Sequence, residues 1–142
     1  MGFWQGASLW IKKLKFQSGG LLDLGNAKQL LRIQVKTADY TVTEADSGSW
    51  FTTTGDANAI NFTLPTNAKS GLHYYFIQSV DQDLTVTAGT ADTLITFNDL
   101  AADSVAASTA NEQIGAFIMV VANGTSFHAA TISNGTTQTV AT

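Results

Sequence analysis

Short alternating runs of apolar and polar residues recur from Tyr40 to Ile132, spaced by about 8–12 residues and divided by turn signals. The runs are Tyr40–Thr43, Trp50–Thr53, Ala59–Leu64, His73–Ser79, Leu84–Thr87, Thr93–Phe97, Ala116–Ala122 and Ser126–Ile132. Between them stand Asp46-Ser47-Gly48, Thr54-Gly55-Asp56, Ser70-Gly71 and Asn123-Gly124, residue types that favour tight turns. A period of two puts alternate side chains on opposite faces of a strand, so this rhythm predicts an all-β chain. The expected fold is a single small antiparallel β-sandwich or barrel, jelly-roll-like, with little helix. Tyr74-Tyr75-Phe76-Ile77 and Phe117-Ile118-Met119-Val120-Val121 are apolar on both faces and should be central strands. Asn123-Gly124 is the strongest hairpin signal, and Pro65 should end a strand where its missing N–H costs nothing.

Composition supports the same class. Charged residues make up 13% of the 142-residue chain, roughly half the usual share of about 25%. Thr, which is stiff at χ1 and suits pleated surface, recurs in short runs such as Thr52-Thr53-Thr54. There is no cysteine, which excludes a disulfide scaffold and Cys-ligated zinc. No run approaches the ~18 consecutive apolar residues of a membrane span. The first sixteen residues lack the continuous apolar stretch and cleavage site of a signal peptide. Three glycosylation-type sequons, at Asn61, Asn123 and Asn134, read as chance in a Thr-rich chain.

Charge is divided unevenly along the chain. Residues 1–36 carry a net +5, and residues 37–142 carry −9. Phe3, Trp4, Trp10, Ile11, Leu14 and Phe16 add a large apolar content to the basic section, while Leu31–Lys36 alternates as a strand would. The expected organisation is an N-terminal arm over residues 1–36, a β-sandwich body over 37–132 and a polar, fraying tail over 133–142. A basic aromatic arm suits an acidic partner, and an acidic body repels nucleic acid and its own copies. Lys12, Lys13 and Lys15, set among Trp10 and Phe16, admit phosphate contacts with base stacking or an anionic membrane. A protein partner is the preferred reading, with no nucleic acid and no membrane expected.

Candidates for chemistry are sparse. His73 and His128 read as outward or strand-end histidines, since nothing near them has metal-ligand spacing. Asp81-Gln82-Asp83 is oxygen-rich but lacks the fixed Gly and terminal Glu of a calcium loop, so turn chemistry is the expectation. Glu44 and Asp46, on one face of a strand, would stand about 7 Å apart, within the range of a glycosidase pair. Ala45-Asp46-Ser47-Gly48 reads instead as a turn. No nucleophile elbow and no phosphate-binding loop occurs. The chain is expected to be non-enzymatic, with no cofactor and no metal.

The order of features from Tyr40 to His128 resembles a domain found in structural proteins of tailed bacteriophages. The matching pieces are Tyr40–Gly48, Ile60–Pro65, Ser70–Ile77, Leu84–Val86 and the closing stretch from Phe117 to Phe127. Phe127-His128 departs from it, since such chains often carry tryptophan there. The resemblance implies a virion role and transfers no catalytic motif. Members occur as capsid-decorating proteins, fibres and spikes. The expected function is a capsid decoration or cement protein on the virion surface, a homotrimer that bridges major capsid subunits. The alternative is a tail fibre or spike module binding a host receptor. The residues expected to contact the major capsid protein are Phe3, Trp4, Trp10, Lys12, Lys13, Lys15 and Phe16.

Overall fold

The computed structural model describes residues 31–54, 59–108, 113–132 and 138–142. Twelve strands occur among them: β1 (Arg32–Lys36), β2 (Tyr40–Thr41), β3 (Ser49–Thr53), β4 (Ile60–Thr63), β5 (His73–Ile77), β6 (Leu84–Thr87), β7 (Leu94–Thr96), β8 (Asp99–Ala102), β9 (Ser104–Ala107), β10 (Phe117–Ala122), β11 (Phe127–Ile132) and β12 (Gln138–Ala141). The one helical element described is a single 3-10 turn at Glu44–Asp46. The strands form two packed sheets. The larger has the order β1-β3-β5-β10-β11-β7-β8, and the smaller has β12-β9-β6-β4-β2. The all-β sandwich is thus the fold, with β5 and β10 inside the larger sheet as their two-sided apolar pattern requires.

Pairing differs from the antiparallel expectation, because the sheets are mixed. The first six strands alternate between the sheets, so β1, β3 and β5 run parallel in one, and β2, β4 and β6 run parallel in the other. Parallel neighbours need a long crossover. Here each crossover passes through a strand of the opposite sheet, which winds the chain around the core. Short turns between successive runs suggest hairpins, yet these turns lead across the sandwich instead. Antiparallel pairing enters with the second half: β10 with β5 and β11, β9 with β6 and β12, and β8 with β7.

The core is aromatic at its centre. Phe51 and Phe76 from the larger sheet meet Phe62 from the smaller, with ring centroids 4.9–5.4 Å apart. Val42, Leu64, Tyr74, Leu84, Val86, Leu94, Ile118, Val120 and Phe127 are buried around them. Gly89 lies so close to the Leu64–Pro65 backbone that a Cβ there would sit 2.2 Å from the Leu64 carbonyl oxygen. Gly124, at φ +107°, turns the β10–β11 hairpin that Asn123-Gly124 announces, with the Asn123 N–H donating to Ser126 O at 3.1 Å.

Three strands escape the sequence reading. Asp99–Ala102 and Ser104–Ala107 consist largely of Ala, Ser and Asp, which have weak strand preference. Gln138–Ala141 pairs with β9, so the end of the expected tail belongs to the smaller sheet. Likewise, Arg32–Lys36, assigned above to the arm, is the edge strand of the larger sheet. The body therefore runs from Leu31 to Thr142.

The β7–β8 turn carries a cost. Thr96 pairs with Asp99, which leaves Phe97 and Asn98 as a two-residue loop, and Phe97 stands at φ +48°. Hairpin loops of this length favour Gly where φ is positive, and an L residue there loses about 1–2 kcal/mol. Phe97 is 67% exposed, so little burial offsets the loss. Phe97→Gly is expected to raise stability by about 0.5–1 kcal/mol after the entropy of the new glycine is counted. Chemical denaturation of the two proteins measures this, and an unchanged or lower midpoint would contradict the strain.

Candidate interaction surface

Alternation along the central strands gives the larger sheet an apolar outer face. The register aligns Ile33, Trp50, Tyr75, Met119 and Ala130 in one row across five strands. The next row holds Val35, Thr52, Ile77, Phe117 and Ile132. Trp50 stacks on Tyr75 at 5.1 Å and meets Phe117 at 5.4 Å, so the three rings brace one another on the outside of the sandwich. Ile33 is 65% exposed, Val35 55% and Ile132 69%. A contiguous apolar patch of this sort marks an interaction site more often than scattered surface hydrophobes do. The sequence carries a signal for it in the two-sided apolar runs Tyr74–Ile77 and Phe117–Val121, whose pattern fits a central strand equally well.

Beside this face, one buried carboxylate ties β1 to the body. Asp46 is 3% exposed at the end of the 3-10 turn. Its Oδ1 accepts from Gln34 Nε2 at 2.8 Å and Arg32 Nη2 at 3.0 Å. Its Oδ2 accepts from the Thr43 hydroxyl at 2.8 Å, the Thr43 N–H at 3.0 Å and the Tyr40 hydroxyl at 3.1 Å. Thr43 and Asp46 have the three-residue spacing of a capping box, which explains why the turn starts here. Burial alone would raise the Asp46 pKa. The hydrogen bonds from Gln34, Thr43 and Tyr40 outweigh it and hold the carboxyl at about 2, below the ordinary 3.8. Burial pushes the Tyr74 hydroxyl up to about 12, helped by the charges of Asp46 and Glu44.

The turn reading of this stretch holds, and the strand geometry of a carboxylate pair does not. Glu44 and Asp46 lie in the 3-10 turn rather than on a strand, Asp46 is consumed by its donors, and Glu44 faces Lys69 at 3.5 Å. Asp46 is the hub of this turn. His73 opens β5 half-buried, with Nδ1 3.0 Å from Gly71 O and its ring edge against Tyr75. His128 is exposed on β11, and its Nε2 lies 2.8 Å from Asn123 Nδ2. Asp83 accepts from Gln113 Nε2 at 2.5 Å. Among the described residues, no cluster of His, Asp or Glu is placed to hold a metal ion, and no helix is long and apolar enough to cross a membrane. Phe3, Trp4, Trp10, Lys12, Lys13, Lys15 and Phe16 lie outside the described residues.

No protein-family model and no curated protein matches this chain.

Proposed function

We propose that the chain is a virion structural protein, a capsid decoration or cement protein that bridges subunits of the major capsid protein. The observation that carries this reading is the braced apolar face of the larger sheet. It is a surface of half-buried Trp50, Tyr75 and Phe117 flanked by exposed Ile33, Val35 and Ile132, on a body whose core is already filled by other side chains. A surface of this kind works by covering another surface. The N-terminal section adds a second docking element of basic and aromatic residues, in which Trp4, Trp10 and Phe16 are the anchors and Lys12, Lys13 and Lys15 steer. Large aromatics dominate interface energetics, whereas exposed lysines contribute modestly and mainly speed encounter.

The test is to locate the chain by electron microscopy on purified phage particles that carry it, and to measure rebinding to stripped particles. Density on the capsid shell supports decoration, and density confined to fibres or spikes supports the receptor-binding alternative. A chain lacking residues 1–16 is expected to keep its circular dichroism spectrum and to lose particle binding. Trp10→Ala is expected to weaken binding about tenfold or more, and Lys13→Ala by less. Full occupancy by the shortened chain would remove the arm from the joint.

A further inference from the structure

Beyond its two apolar rows, the outer face of the larger sheet holds a third. The register sets His73 of β5 beside Val121 of β10, Val121 beside His128 of β11, and His128 beside Ile95 of β7. The histidines therefore flank Val121 two strands apart, roughly 9–10 Å at the usual strand spacing. Across the three rows the pairing places no Asp, Glu, Lys or Arg, although the chain has 11 acidic residues and 7 Lys and Arg. The face carries no fixed charge. Histidine is the side-chain type that gains one between about pH 8 and pH 5.

Hydrogen bonds define which nitrogen of each ring takes the proton. His73 Nδ1 lies 3.0 Å from the Gly71 carbonyl, which can only accept, so Nδ1 carries the hydrogen and Nε2 is the open acceptor. That Nε2 faces Gly48, where an added Cβ would stand 3.6 Å away. The Asn123 amide is oriented by its own turn, because its Oδ1 accepts the Thr125 and Ser126 N–H groups, each at 2.9 Å. Its Nδ2 therefore donates to His128 Nε2 at 2.8 Å, and the His128 hydrogen sits on Nδ1. A proton added at His128 Nε2 would meet that amide donor to donor and break the contact.

The surroundings offer these rings no counter-ion. Tyr75 meets His73 edge-on at 5.9 Å, and Val121 and Ile95 stand beside His128. The charged side chains on the elements flanking this row are Arg32, Glu44, Asp46, Lys69, Asp92 and Asp103. Arg32 pairs with Asp46 at 3.0 Å, Lys69 pairs with Glu44 at 3.5 Å, and Asp103 accepts the Asp92 N–H at 2.9 Å. Among the described residues, no ion pair forms with either histidine.

We propose that protons gate this face: with His73 and His128 neutral it docks on the major capsid protein, and with both charged it releases. The inference rests on the reading of the face as the capsid contact. A face without fixed charge fits a capsid surface equally free of charge, because an ion covered there would lose its water and find no partner. Acid places two such ions inside the contact. The body withstands the same change, since the Asp46 carboxyl, held at about 2, stays ionised throughout.

Rebinding of the full chain to stripped particles at about pH 7.5 and about pH 5.5, either side of the histidine range, tests the gate. The wild type is expected to bind about tenfold or more weakly at the lower pH. His73→Gln/His128→Gln takes no proton and keeps an acceptor for Asn123, so its affinity should change by less than about threefold. His128→Lys, charged at both pH values, should bind weakly at both. Unchanged circular dichroism at both pH values excludes unfolding as the cause. Equal binding of the wild type at the two pH values overturns the gate and leaves the docking reading standing. So does a pH dependence that persists in the double variant, because the titrating groups would then lie elsewhere. No particle binding at either pH overturns the docking reading and the gate together.

Discussion

Phe62→Ala is expected to lower the unfolding free energy by about 3–5 kcal/mol. Phe62 is fully buried and projects from the smaller sheet between Phe51 and Phe76 of the larger one. Its loss removes the ring that joins the layers and leaves a cavity walled by strands fixed in their own ladders. β4 and its parallel neighbours cannot collapse into that space without breaking register with β2 and β6. For a body of this size, each kcal/mol moves the melting midpoint by about 4 °C, so a fall of roughly 12–20 °C is expected. Urea denaturation of Phe62→Ala beside Phe97→Gly separates the inner ring from the exposed one. A loss below 1 kcal/mol for Phe62→Ala would mean that the two sheets are not held together through this cluster.

The strands that alternate cleanly were legible in the sequence. Leu84–Thr87 falls where its pattern puts it, and the Asn123-Gly124 hairpin and the Pro65 strand end are both present. Partnership was not legible, because alternation fixes which face a strand buries and says nothing about which strand lies beside it. Tyr40–Thr41 and Ser49–Thr53 follow one another in the chain yet belong to different sheets. The short link between them reads as a hairpin connection, whereas Asp46 and its donors turn the chain across the sandwich. The alanine-rich β8 and β9 were invisible because their strand character comes from neighbours rather than from their own side chains. The outer apolar face was half legible. Apolar residues on both sides of β5 and β10 were evident, but the row from Ile33 to Ala130 exists only once the register is known.

Asp46→Asn is expected to destabilise the body by about 2–3 kcal/mol and to loosen β1 in particular. The carboxylate accepts five hydrogen bonds, two of them from Arg32 and Gln34 on β1. An amide replaces one acceptor oxygen with a donor, so it must confront either the β1 pair or the Thr43 and Tyr40 set donor to donor. Hydrogen bonds to a charged group are each worth more than neutral ones, and a buried donor left unpaired adds its desolvation cost. Acid should act through the same group. The folded-state pKa of about 2 lies below the ordinary 3.8, so the unfolded chain binds the proton more readily. The stabilisation is therefore complete above about pH 4 and is lost as pH falls toward 2. The shift corresponds to roughly 2 kcal/mol. Denaturation between pH 2 and pH 5 should show this slope in the wild type and a flatter one in Asp46→Asn. Hydrogen exchange at pH 5 should then be faster at the β1 amides of the variant than at those of β5 and β10. Equal acid slopes in the two proteins would mean that another carboxylate governs the acid response and that Asp46 is not the clasp on the edge strand.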